Sequence, residues 1–164
     1  MTRACTLAAV RESLTVEQWA RLERINPHLA APVAKARARG ELVEASAHRD
    51  GPRVTVTAKG LRLDATPNAR AHWTATAKKR AREREVLTRA LSGITPPAGP
   101  WRVVIVRVGP RPMDDDNRTA SAKGCRDAIA AWLGVDDGDD SVRWEVRGEV
   151  ARGYAVRVQI EGRG

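Results

Sequence analysis

The sequence feature that most constrains the fold is the run Trp101 to Val108, WRVVIVRV. It is β-branched and mostly apolar, which is typical of a central strand that is covered on both faces. A connector rich in Pro and Gly, SGITPPAGP, precedes the run, and Gly109-Pro110 follows it. Because such residues interrupt regular structure, both ends of the strand are marked. The run is therefore predicted to be a central strand of a sheet, buried on both faces.

Periodicity predicts the other elements. A helix is predicted from Trp73 to Leu91, since apolar residues recur at helical spacing and the residues between them are basic. A second helix should begin at Asn117 or a neighbouring Asp and run to Leu133, before Gly134. Alternation predicts a strand or hairpin from Arg53, and an antiparallel hairpin formed by Val142–Val150 and Tyr154–Ile160. The fold class is therefore α+β. The apolar stripe of the first helix comprises Trp73, Ala77, Ala81, Leu87 and Leu91.

Residues 1–50 are predicted to form a helical N-terminal extension, and residues 51–164 the main domain. Thr15-Val-Glu-Gln18 is a capping-box pattern that opens a short helix, and Pro32 can start another that ends at Gly40. The pattern changes to strand-like alternation from Arg53. Chemistry-bearing residues are therefore sought in the second segment.

The chain is strongly basic, with a formal net charge of +9 over 164 residues. Residues 51–100 hold ten Lys and Arg against three acids, so the excess lies upstream of most acidic residues. This distribution favours a polyanionic partner, with nucleic acid ahead of an acidic membrane. No apolar run is long enough to span a membrane, and Cys5 and Cys125 form no metal-ligand spacing. We expect a cytoplasmic protein that has no membrane partner.

Seven of the eleven acidic residues in positions 101–164 are clustered, in Asp114-Asp115-Asp116 and in Asp136-Asp137-Gly-Asp139-Asp140. Packed carboxylates repel one another unless a cation neutralises them, so the clusters suggest a metal site. Asp also favours turns and helix caps, which would make both clusters solvated turns. Both interpretations stay open on composition alone.

The spacing of the acids suits a magnesium (Mg²⁺) site. If the chain stays extended after the buried strand, Asp114 and Asp116 point to the same side. Asp136 or Asp137 would supply a third carboxylate if the intervening helix folds back. Magnesium prefers hard oxygen ligands of this kind. Lys123 could then add positive charge at a scissile phosphate.

The order of these residues resembles the RusA-type Holliday-junction resolvases. The matching run is Pro112-Met-Asp-Asp-Asp-Asn117, then Lys123 and Asp127 on a helix, then Trp132-Leu-Gly-Val-Asp-Asp137, then Val142 opening a strand. Upstream, Pro67-Asn-Ala-Arg70 and His72-Trp73 before a basic helix are similar to that family's entry segment, so the resemblance covers approximately Arg53 to Gly164.

The resemblance implies a RusA-like mixed β-sheet packed by helices, and a magnesium-dependent endodeoxyribonuclease active in DNA recombination and repair. Relatives of this kind, frequent in phages and prophages, are homodimers that nick four-way DNA junctions symmetrically. It implies Asp114, Asp116, Asp137 and Lys123 as catalytic residues, with Asp136 supporting the metal-binding acids and Asn117 structural. The DNA-binding surface would comprise Arg70, Lys78, Lys79, Arg82 and Arg118.

Two departures and two alternatives accompany this interpretation. Lys123 lies six positions beyond Asn117, farther than in the shorter-spaced members, and Arg118 stands where Leu is frequent. One alternative is a non-catalytic nucleic-acid-binding protein, such as a phage accessory protein, in which the acids are structural. The other is a less selective metal-dependent nuclease that acts on flaps, single strands or RNA.

Overall fold

The computed structural model of the chain describes residues 43–64 and 73–163. They form an α+β fold in which a five-stranded mixed sheet is accompanied by helices, so the predicted fold class is confirmed. The strands are β1 (Glu44–Asp50), β2 (Arg53–Lys59), β3 (Trp101–Gly109), β4 (Val142–Val150) and β5 (Ala155–Glu161), and the described helices are α1 (Trp73–Leu91), α2 (Asp115–Ser121) and α3 (Lys123–Leu133).

The strand order is β1-β2-β5-β3-β4, with β3 and β4 parallel and every other pair antiparallel. The predicted hairpin between the last two strands is wrong, because β3 lies between them. β5 buries Val156, Val158 and Ile160, whereas the second half of β4 is exposed. The more apolar strand therefore takes the interior position, and the more charged one takes the edge.

The predicted helical extension is also wrong for residues 44–50, which form β1. This strand pairs along its whole length with β2, from Glu44 opposite Lys59 to Asp50 opposite Arg53. Gly51 makes the tight turn at a φ of 55°, a conformation that glycine adopts readily. Most residues of β1 are exposed, so it carries no apolar alternation to reveal it. The helices predicted within residues 1–42 lie outside the described residues.

The core is aliphatic. β2, β3 and β5 contribute alternating Val and Ile side chains, and α1 and α3 cover them. The predicted stripe of α1 holds at Leu87 and Leu91 but not at Ala77 and Ala81, which are exposed. The buried row instead continues back from Leu91 and Leu87 to Glu83, one helical turn at a time.

The helix predicted between the acid clusters is divided at Ala122. This residue ends α2 and caps α3 with a non-helical φ/ψ pair of −85° and 0°. Gly134 ends α3 in the left-handed conformation, as predicted. The predicted buried side is confirmed, since Ala122, Cys125, Ile129 and Leu133 are all in the core.

α1 and α3 approach each other closely at Gly124. A Cβ built there would lie 3.0 Å from the backbone oxygen of Arg80 and would overlap a carboxylate oxygen of Glu83. We therefore expect Gly124→Ala to reduce the free energy of unfolding in urea by about 1–3 kcal/mol through overpacking. Gly138→Ala is the control, because nothing lies within 4 Å of its Cβ position. Equal stability of the two variants would contradict this close approach.

Candidate functional site

The first acid cluster follows β3 directly, and a buried arginine anchors the segment before it. Arg107 is 5% exposed, and its guanidinium donates to the carbonyl of Leu63 at 3.2 Å and to that of Arg111 at 3.0 Å. These bonds tie the end of β3 to the chain on both sides of it. The start of α2 is thereby held at one end of the sheet.

Asp114 is the N-cap of α2. Its Oδ1 accepts the backbone N–H of Asn117 at 2.9 Å, and its Oδ2 accepts the side-chain amide of Asn117 at 2.6 Å. These two hydrogen bonds, the backbone one first, lower the pKa of Asp114. The carboxylate is therefore kept ionised, with Asn117 donating to both of its oxygens.

Asp116 lies in the first turn of α2 and is exposed. The helix begins at Asp115, so the extended geometry used to place Asp114 and Asp116 on one side ends at Asp114, and that argument is wrong. Asp115 forms an ion pair with Arg118. For Asp116, by contrast, no hydrogen bond or ion pair is found within the described ranges, so both its oxygens can accept a ligand.

Lys123, the first residue of α3, contacts the second acid cluster. Its ammonium lies 2.8 Å from an oxygen of Asp127 and 2.5 Å from Oδ2 of Asp137. Asp127 and then Asp137 raise the pKa of Lys123, and Lys123 in turn lowers the pKa of Asp137. The loop that carries Asp137 thus folds back along α3 to reach the first turn of that helix.

A second contact holds the same loop. The guanidinium of Arg126 donates to the backbone oxygen of Asp137 at 2.9 Å and lies over the ring of Trp144, 4.9 Å from its centroid. α3 therefore contacts both the main chain and the side chain of Asp137. Asp136, its neighbour, is exposed.

The acids present are chemically suited to magnesium, but the complete predicted set is not assembled. Among residues 43–64 and 73–163, no three Asp, Glu, His or Cys side chains are grouped so as to hold a metal ion. Asp116 lies in the first turn of α2, whereas Lys123 opens α3 beyond the break at Ala122. The structure brings Lys123, Asp127 and Asp137 together and leaves Asp114 and Asp116 at the start of α2.

The predicted DNA-binding residues fall into two groups. Lys78 and Arg82 are exposed on α1. Lys79 is half-buried and donates to the backbone oxygen of Asp64, and burial lowers its pKa. Arg118 has a side chain 19% exposed, which packs at Gly148 of β4 and contacts Asp115. Arg70 lies outside the described residues.

A buried carboxyl that was not predicted from the sequence lies where α1 packs against α3 at Gly124. Glu83 is 2% exposed, and its Oε2 has no hydrogen-bond partner among the described residues. Burial raises the pKa of Glu83 to about 7, with Lys79 and Arg80 opposing the rise. The signal was available, because Glu83 stands one helical turn before Leu87 in the row that ends at Leu91.

An open groove of about 760 Å³ lies along the C-terminal half of α1. Leu91, Ile94 and Trp132 line it together with Arg84 and Arg89. The predicted acids lie elsewhere, so this concavity is separate from the site described above.

No protein-family model matches this chain, and no curated protein matches it by sequence. In the described parts of the chain, no helix combines the length and apolar character needed to cross a membrane.

Glu83 should make stability depend on pH. Its raised pKa means that the folded chain keeps this proton between about pH 4.5 and pH 7 while the unfolded chain loses it. The stabilisation that the protonated Glu83 gives the folded chain is complete below pH 4.5 and is lost as pH rises towards 7. We expect Glu83→Gln to match the wild type near pH 4 and to have a free energy of unfolding about 3 kcal/mol higher than the wild type at pH 8.

Urea unfolding at several pH values measures this difference. Glu85→Gln on the exposed side of α1 is the matched control, since this carboxyl is 66% exposed and paired with Arg89. If the difference in free energy of unfolding between the wild type and Glu83→Gln stayed constant from pH 4 to pH 8, the raised pKa of Glu83 would be refuted.

Asp114 can be tested as a cap independently of any metal. Asp114→Ala removes the acceptor for the N–H of Asn117 and should lower the urea midpoint, whereas Asp114→Asn keeps an acceptor oxygen and should stay close to the wild type. The measurement is made in EDTA, so metal binding makes no contribution. Equal midpoints for the Ala and Asn variants would show that the cap is unimportant.

Proposed function

We propose that this protein is a magnesium-dependent endodeoxyribonuclease of the RusA type, which resolves four-way DNA junctions by paired nicks in cytoplasmic DNA recombination and repair. The observation that carries the proposal is the ion pair between Lys123 and Asp137. It unites two of the four predicted catalytic residues, which stand 14 positions apart in the chain. The motif order thus corresponds to a spatial contact.

The charge of the chain supports a nucleic-acid substrate. The net charge is +9, and the exposed positions of α1 include Lys78, Arg80, Arg82 and Arg84. Cationic side chains of this kind contact phosphates and supply most of the affinity for DNA regardless of its sequence. A basic helix in the same domain as a carboxylate site is suited to bring a backbone phosphate to the acids.

Asp114 and Asp116 are the residues that would hold magnesium, with Asp137 and Asp136 as the remaining candidate ligands. When bound, magnesium supplies positive charge at the scissile phosphate and activates a water molecule for attack. Oδ2 of Asp137 accepts from Lys123, so a metal would have to bind its Oδ1 or displace the ammonium from Oδ2. Asp127 would still hold the ammonium of Lys123 in place, at 2.8 Å, where it could neutralise a phosphate oxygen.

A non-catalytic nucleic-acid-binding protein is the second candidate. It is favoured by the engagement of two predicted acids in structural contacts, Asp114 as a helix cap and Asp137 as the ion-pair partner of Lys123. In that case the acids stabilise the fold and the basic surface alone binds DNA. A less selective nuclease is distinguished from a resolvase by competition between junctions, flaps and single strands.

Cleavage of a labelled four-way junction tests the proposal. We expect symmetric nicks with magnesium and none in EDTA. Asp116→Asn should reduce the cleavage rate by about 100-fold or more, because it removes a charged ligand at the reacting centre. Junction binding in a mobility-shift assay should persist, and the fold should be unaffected since the side chain is exposed.

Asp140→Asn is the matched control. Asp140 is an exposed aspartate of the second cluster that the motif does not include, so its replacement should leave cleavage unchanged. Wild-type cleavage by Asp116→Asn, or cleavage in EDTA, would refute the assigned chemistry. A mobility shift without nicks under any divalent cation would establish the binding-protein alternative.

A further inference from the structure

The outer edge of β4 is long and regular, and it has no neighbouring strand among the described residues. β4 pairs with β3 without a bulge from Val142 opposite Trp101 to Val150 opposite Gly109. Its sequence, VRWEVRGEV, contains neither Pro nor Lys, two residues that commonly protect edge strands. Val150 at its end is a large apolar side chain that is 62% exposed. Such an edge is a template for another strand.

The backbone of β4 has hydrogen-bonding groups available at this edge. Trp101 donates to the carbonyl of Ser141 at 2.8 Å, and Ala151 donates to that of Gly109 at 3.0 Å. In a parallel ladder alternate residues bond to the same neighbour, so the odd-numbered residues of β4 face β3. The N–H and C=O groups of the even-numbered residues therefore point to the open edge, except the N–H of Val142, which donates to the carbonyl of Asp139 at 3.0 Å.

We propose that the β4 strands of two copies of this chain pair antiparallel, edge to edge, about a two-fold axis at Val146. In this register Arg143 lies opposite Glu149 of the second copy, and Glu145 lies opposite Arg147 of the second copy. Val142 lies opposite Val150, and Val146 opposite itself. Every charged residue of the strand thus meets an opposite charge, and each Val meets a Val.

The charge pattern selects this register. If one strand slid by two residues in one direction, Glu145 would lie opposite Glu145 of the second copy. If it slid the other way, Arg147 would lie opposite Arg147 of the second copy. Like charges directly opposite are destabilising. The other edge of the sheet lacks this property, because antiparallel self-pairing of β1 would place Glu44 opposite Asp50. The two edges are therefore not equivalent, and β4 is the one suited to a second copy.

The geometry of the ladder strengthens the charge pairs. Because the even-numbered residues form the hydrogen-bonded pairs, the charged odd-numbered residues fall in the non-hydrogen-bonded pairs, where opposing side chains are closer. Within the chain, Glu145 already contacts Arg102 and Arg147, and Glu149 contacts Arg157. These side chains remain partly exposed, so a second copy would extend an alternating row of charges.

The mass of the full chain in solution tests the pairing. We expect sedimentation to give twice the chain mass of 17.9 kDa, with dissociation on dilution. Glu145→Arg and Arg147→Glu each place like charges opposite at two symmetric positions, and should raise the dimer dissociation constant roughly tenfold or more. A mixture of the two variants places opposite charges together again and should restore the dimer.

Glu161→Arg is the matched control. Glu161 contacts Arg53 and Arg102, so its reversal disturbs comparable ion pairs on the inner strand β5 without touching the edge. This variant should dimerise like the wild type. A wild-type chain that remains at 17.9 kDa at every concentration, or equal dissociation constants for Glu145→Arg and Glu161→Arg, would overturn the proposal.

Disulfide trapping covers the case in which a charge reversal unfolds the chain. Arg143→Cys and Glu149→Cys, each combined with Cys5→Ser, change exposed positions that lie opposite in the proposed register. Mixing the two and oxidising them should give a crosslinked heterodimer in far higher yield than either alone. Equal yields would exclude this register.

The proposed paired nicks need two copies, but the pairing argument depends on β4 alone. The two proposals can therefore fail separately. A dimer that never cleaves junctions would support the β4 interface and refute the nuclease activity. A monomer that nicks DNA with magnesium would support the nuclease activity and refute the interface.

Discussion

The parallel pairing of β3 with β4 is the constraint on which the rest of this structure depends. Parallel neighbours cannot be joined by a tight turn, so the chain must cross from one end of the sheet to the other. α2 and α3 form that crossover. The first acid cluster lies where the chain leaves β3, and the second where it returns to β4. Every residue of the predicted catalytic set is therefore on this single connection.

The sequence was sufficient for elements that have a strong internal period and clear ends. The bounds of α1, the strand β3 and the end of α3 at Gly134 were all predicted. Pairing was not predictable, because β4 and β5 follow each other and alternate as a hairpin would, yet β3 needed two neighbours. β1 carried too few buried residues to show a period. Local pattern thus identifies elements, and competition for the interior decides their order.

The same limit applies to the site. Motif order brought Lys123 and Asp137 to attention, and the structure joins them. It could not show that the helix begins at Asp115, which makes Asp114 the cap and places Asp116 in the first helical turn. The motif also did not reveal Glu83. A carboxyl on a helix is ordinarily interpreted as solvated, and its burial is recognised only when the apolar row of Leu87 and Leu91 is continued one turn back. Carboxylate positions depend on where helices start and which face they bury, which a linear pattern does not contain.

The position of Lys123 defines the electrostatic state of the site. One ammonium lies between Asp127 and Asp137, so two negative charges share one positive charge, with Arg126 nearby. A divalent cation would compete with Lys123 for Asp137, and the ammonium would then be left with Asp127. Metal and lysine would each neutralise one carboxylate, and both positive charges could face a phosphate. With Lys123 between them, Asp127 and Asp137 both have a cationic partner in the absence of any bound ion.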